Sequence, residues 1–283
     1  MKQSNLKKLT AKNSKWITND PSGIHFLDVW SYHSLSQAVG YLKYTHNKEG
    51  DVLFRAQHRL YPTLFPSLFR GVKSSGGMQK RSGALTSYIN ACRKKGDVLQ
   101  VTPEYSHEPL LQHYGIRTRW IDLVDNIWVA LWFGCYDFVL NGRQHQQAHF
   151  QVRSSDEYFF ILLLLTGTRK EDEQEPGYYE NETVVSIDLR KACPSVFLRP
   201  HSQHGILARK KRIEKLSDAD MMDTVVGIVR ISVGDAMQWL GSGDLLSARN
   251  LFPPPHYDYG YGILLQNALQ GNETLGSITY FFP

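Results

Sequence analysis

Residues 110–136, LLQHYGIRTRWIDLVDNIWVALWFGCY, set Gln112, His113, Tyr114, Thr118, Arg119 and Asp122 directly ahead of a long apolar run. Polar groups packed that densely beside a core are costly unless they are hydrogen-bonded or in use. They read as the floor of a site. Two other stretches carry side chains of the same kind: Phe54, Arg55 and Gln57 in VLFRAQ, and Arg199, His201, Gln203 and His204 in RPHSQHGI. An arginine in such a setting can hold a phosphate through paired N–H donors. An aromatic ring can lie against a flat heterocycle.

Plainer roles are open to the same residues. Arg55 can be half of a structural ion pair with Asp122, and Arg119 with Asp122 can be a buried pair that fixes the turn into the apolar run. His113 can act as a base or complete a hydrogen-bond network. His201 and His204, three apart on an extended strand, do not reach one metal with ease, so no metal site is expected. The run RKKR at residues 209–212 can contact nucleic acid or form a solvated face.

The elements that must position these residues follow from local patterns. Val52–Gln57 is rich in β-branched and aromatic residues and predicts a strand, with Arg55 and Gln57 on one face and Phe54 and Ala56 on the other. Tyr158–Leu165, YFFILLLL, predicts a central strand, and residues 183–189 and 225–233 predict two more. Residues 25–44 predict a covering helix capped at Ser34, residues 84–99 a helix after a mobile loop at 72–82, and residues 234–251 another helix. The apolar run after Asp122 predicts a buried helix through residue 140. Residues 195–209 predict a bent strand or a strand, turn and strand, 214–222 a polar helix and 168–179 a charged loop. The expected class is α+β, with central mixed or antiparallel sheets flanked by helices. Residues 1–22 form a loose or packed-on arm and residues 23–283 a single domain.

Composition narrows the function classes. With 42% hydrophobic and 12% aromatic residues in 283, the chain has ample material for a core, which excludes wholesale disorder. A formal charge of +5 suits an anionic ligand without requiring one. Cys92, Cys135 and Cys193 have no CxxC spacing, so neither a disulfide framework nor a zinc site is indicated. The lysine-bearing N-terminus has no apolar run behind it, and Tyr158–Leu165 is far short of the ~20 residues needed to span a bilayer. A cytoplasmic location is expected.

FRAQ, LLQHYGIRTRWIDL and RPHSQHGI, in that order and followed by LFP at residues 251–253, resemble the FRG domain, a family of bacterial and phage proteins. The resemblance spans roughly residues 25–265. Ala56 stands where the family has the glycine of its Phe-Arg-Gly motif, which removes a place of close backbone approach. The family's Thr-Arg-Leu-Leu-Asp is here Thr118-Arg119-Trp120-Ile121-Asp122, changed only at apolar positions.

A weaker similarity, to the ADP-ribosyltransferase superfamily, implies a split sheet and NAD as substrate. It also implies Arg55, Tyr114 and Gln203 as the catalytic triplet. Phe54, Gln57, Gln112, His113, Thr118, Arg119, Asp122 and Arg199 would then bind the cofactor. Arg55 or Arg119 would take the pyrophosphate and Tyr114 the nicotinamide ring. A carboxylate normally stands near the ribose, because cleavage there develops oxocarbenium-like charge, and Gln203 is neutral. Either Asp122 or Glu214 supplies that charge, or turnover is slow or absent. The partners implied are a nucleotide ligand, a macromolecular acceptor that is protein or nucleic acid, and an antitoxin or sensor, with no membrane. The setting is toxin or anti-phage defence. The alternatives are a non-catalytic nucleotide- or nucleic-acid-binding module and a regulatory protein whose polar triplet is a structural knot.

Overall fold

Tyr158–Leu165, the most apolar run of the chain, lies near the middle of a nine-stranded sheet. The computed structural model describes residues 6–9, 11–18, 23–95, 97–141, 147–167, 175–267 and 273–281. Its strands are β1 (Ser14–Ile17), β2 (Phe26–Val29), β3 (Val52–Gln57), β4 (Ile121–Val124), β5 (Tyr136–Asn141), β6 (Gln147–Val152), β7 (Tyr158–Leu165), β8 (Tyr178–Glu180), β9 (Val184–Asp188), β10 (Gly205–Lys210) and β11 (Val225–Ser232). The main sheet runs β1-β2-β11-β7-β3-β4-β10-β9-β8, and β5 and β6 form a separate hairpin. Among the strands of the described residues, β2 and β11 alone pair in parallel.

The period of two along β7 divides its side chains between two cores. Phe159, Ile161 and Leu163 join one cluster, covered by helices α1 (Tyr32–Thr45) and α4 (Ile127–Cys135) and by α7 (Val233–Leu240). Leu162 and Leu164 join the other, with Leu53, Leu123, Leu64 and Met222. A third cluster packs α2 (Ser75–Lys95) and α3 (Glu104–His113) against Val185, Ile187 and Leu207.

The sheet is joined at its middle by a single register pair. β3 meets β7 continuously from Val52↔Leu165 to Gln57↔Phe160, whereas β3 and β4 share only Phe54↔Val124. Five strands lie on one side of that junction and four on the other.

The fold is α+β, as expected, but several elements differ in extent. The arm is packed on: Leu6 is fully buried and β1 pairs with β2. Residues 26–29 are strand, and α1 begins later, capped by Ser31, whose hydroxyl accepts from Ser34 N. α2 starts inside the expected loop. Met78, Leu85 and Tyr88 recur at helical spacing and bury against Leu68 and Phe69, and that burial overrides the poor propensity of the glycines. α4 stops at Cys135, and residues 136–141 pair with β6 instead.

In place of a bent strand, α6 (Leu198–Ser202) precedes β10, with Pro200 in its first turn, where a missing N–H costs nothing. Residues 214–222 hold 3-10 turns rather than an α-helix, and α7 ends at Leu240, well before residue 251. Residues 168–174 of the charged loop lie outside the described residues. Among the described residues, no helix is long and apolar enough to cross a membrane.

Candidate functional site

Arg55 sits where the sheet comes apart. Continued past Phe54↔Val124, the antiparallel register would bring Ala56 opposite Asp122, but that pair does not form. The Asp122 carbonyl accepts from Arg55 Nη1 at 2.8 Å instead. The guanidinium thus satisfies a backbone group that the ladder leaves open. Burial pulls the Arg55 pKa down to about 10, although the Asp122 carboxylate acts in the opposite direction.

Above this gap, on the α4 face, lies a cavity of about 450 Å3, within the ~300–1,000 Å3 usual for small-molecule sites. Phe54, Phe133, Tyr136, Phe138, Phe150 and Phe252 wall it, and Arg55, Asp122, Gln112, His113 and Gln203 supply its polar lining. His113 Nδ1 faces Gln203 Oε1 at 3.2 Å, and Gln203 Nε2 donates to the Leu251 carbonyl at 2.7 Å. Gln112 is held by the Thr118 hydroxyl. Arg55 Nε, His113 Nε2 and Asp122 Oδ1 are buried without a hydrogen-bond partner. All three belong to residues of one lining, a concentration of unsatisfied polar groups beside the cavity. Burial also holds the His113 pKa below its ordinary value, against the pull of Asp122, so the ring is neutral near pH 7.

Two glycines make this arrangement possible. Gly115 has φ 112°, and a Cβ there would fall 2.5 Å from the Ser277 carbonyl oxygen, so only glycine turns the chain sharply after α3. At Gly205 a Cβ would fall 2.5 Å from His113 Cε1 and Nε2, and its absence lets the imidazole lie directly on β10.

Five of the expected site residues do not line this cavity. Tyr114 is 1% exposed, donates from its hydroxyl to Asp258 Oδ2 at 2.7 Å and stacks on Tyr261, so its ring does not meet the cavity. Asp258 is fully buried and draws the tyrosine to it. Arg199 lies against the rings of Tyr114, Tyr261 and Phe252 and donates to the His113 carbonyl at 2.8 Å. It supports the site from behind. Arg119 pairs with Glu108, not with Asp122: Nε reaches both carboxylate oxygens at 3.1 Å, and Glu108 also accepts from Arg119 N. Thr118 is fully buried beneath Gln112. Gln57 lines a different cavity, on the opposite face of β3.

Apart from Phe54, the sequence patterns did not single out the aromatic walls. Phe133 and Tyr136 were absorbed in the apolar run, while Phe138 and Phe150 come from the β5–β6 hairpin, whose alternation was the available signal. Among the described residues no cluster of His, Cys, Asp and Glu could hold a metal ion.

Residues 50–139 match the family model of the FRG domain. No curated protein and no solved structure matches the chain. The matched stretch runs from β3 to β5 and includes Arg55, Gln112, His113 and Asp122, whereas Arg199 and Gln203 lie beyond it. Over that stretch the chain is similar to the FRG domain, and the junction between β3 and β4 that opens the cavity lies within it.

Proposed function

We propose that the cleft at this junction binds NAD as a substrate and cleaves its nicotinamide–ribose bond, passing ADP-ribose to a macromolecule or to water. The observation that carries this is Asp122: a carboxylate with one oxygen uncommitted, beside Arg55 in an aromatic-walled cavity. Cleavage leaves the bonding electron pair on nicotinamide and positive charge on the ribose, and a fixed carboxylate in a dry site is the group that stabilises such charge. Glu214 is exposed and lines no part of the cavity, which leaves Asp122 as the acid. The aromatic walls suit the flat nicotinamide ring in the role first given to Tyr114. Gln203 positions His113, since both ends of its amide are engaged. Arg55 faces the phosphates. The FRG-domain match accords with an effector of toxin or anti-phage defence type, answering to an antitoxin or sensor.

A nucleic-acid-binding module is less well supported, because most of its basic groups are occupied. Arg119 is bound to Glu108, Arg209 stacks on Trp120, Lys210 pairs with Asp223 and Lys211 with Glu180.

The test is incubation with NAD while nicotinamide release is followed by chromatography. Wild-type protein should release it, and Asp122→Asn should lose at least ~100-fold in rate, as expected for removal of one preorganised charge-stabilising group. If no acceptor preparation elicits release and NAD leaves the thermal melt unchanged, the reading fails.

A further inference from the structure

Below the sheet, on the face opposite the aromatic cavity, β3 and the segment after it enclose a second cavity of about 720 Å3. Its polar lining is Arg55, Gln57, His58, Tyr61, Thr63 and Arg70, and no carboxylate is part of it. Arg55 and Arg70 are close enough that the charge of Arg70 adds to the lowering of the Arg55 pKa, after burial. Asp122 offsets part of that charge from the other side of the sheet, and an anion in the concavity would be drawn to both guanidinium groups.

The walls are anchored. Leu64 N donates to Asp220 Oδ1 at 2.7 Å, and the Leu64 carbonyl accepts from Met221 N at 3.0 Å. Arg81 Nη1 donates to the carbonyls of Leu68 and Arg70 at 2.8 and 2.9 Å, which fixes the backbone from which the Arg70 side chain projects. The cavity also adjoins the aromatic one: Arg55, Ala56, His58 and Phe138 line both.

We propose that this second cavity is a binding site for a diphosphate group, gripped between Arg55 and Arg70, and that the two cavities form one cleft for a two-ended ligand. Two guanidinium forks with the hydroxyls of Tyr61 and Thr63 offer more donors than a single carboxylate can accept, whereas a diphosphate has the oxygens and the charge to satisfy them. Arg70 thereby becomes a binding residue that the motifs do not contain. This deepens the nucleotide reading of the site and rests on it only for what fills the aromatic end.

The experiment is titration calorimetry on the full chain with inorganic pyrophosphate, then with ADP-ribose in its presence and absence. Arg70 is exposed, so Arg70→Gln should fold, with a melt like that of the wild type. It should weaken pyrophosphate binding by about tenfold or more, while Arg212→Gln, an exposed arginine outside the cavity, changes it less than about twofold. Pyrophosphate and ADP-ribose should compete. Equal affinities for wild type and Arg70→Gln, or simultaneous binding of the two ligands, would overturn the proposal. Arg70-dependent pyrophosphate binding without nicotinamide release upholds the site and sinks the cleavage reading. Release with pyrophosphate binding indifferent to Arg70 does the reverse.

Discussion

Replacing Arg55 with methionine separates a residue kept for a ligand from one kept for the fold. Burial brings the Arg55 pKa to about 10. A displacement of two to three pH units from the ordinary arginine value, at 1.36 kcal/mol each, means the native state bears on the order of 3 kcal/mol to keep that charge. Against this stands the bond from Nη1 to the Asp122 carbonyl, which as a charged hydrogen bond contributes about 1.5–3 kcal/mol. Methionine has a similar length and no charge, so it removes both quantities together and fills the stem's volume. Arg55→Met should therefore unfold in urea within about 1 kcal/mol of wild type while losing nucleotide and pyrophosphate binding. A residue in a buried structural pair would instead cost about 3–5 kcal/mol. The pH dependence has a definite sign. The folded arginine sheds its proton before the unfolded one, so wild-type stability rises relative to the variant as pH climbs past about 10. A loss of 3 kcal/mol or more at neutral pH would refute the reasoning and make Arg55 a structural residue.

Gln203→Ala strands His113 Nδ1 and the Leu251 carbonyl, both in protein interior, and should cost about 2–4 kcal/mol in chemical denaturation. Tyr114→Phe removes the donor to Asp258 and should lower stability by about 1.5–3 kcal/mol, yet leave nucleotide affinity unchanged, because the ring lies outside the cavity. The His113 pKa is depressed by burial, so the unfolded chain takes up a proton first as pH falls. Wild-type stability should decline below about pH 6.5, and His113→Gln should flatten that part of the denaturation profile.

Where the chain's own patterns were sufficient, burial and periodicity coincide. β3 matches the expected strand end for end, as does β7, since short β-branched or wholly apolar runs bounded by polar residues have few other ways to bury themselves. The polar run to Asp122 was equally legible. Tertiary context decided the rest. Glu108 went unnoticed because Pro109 marks a helix start to a reader of sequence, whereas α3 carries that proline in its interior and so places Glu108 beside Arg119. Arg70 belonged to an irregular link, and only the folding of that link over the lower face of β3 sets it beside Arg55.

The sequence by itself thus determined β3, β7, β9 and β11, the start of the buried helix and the polar residues that had to be satisfied together. It did not determine which of them share a cavity. That depends on strand order: β3 is flanked by β7 and β4, and β4 by β10, so residues 55, 122 and 203 become neighbours across long loops. No local period encodes such contacts. They arise when each strand finds the partner that buries its own face, and the β3–β4 junction, where pairing stops after a single residue pair, brings Arg55 and Asp122, both with an unpartnered buried atom, together.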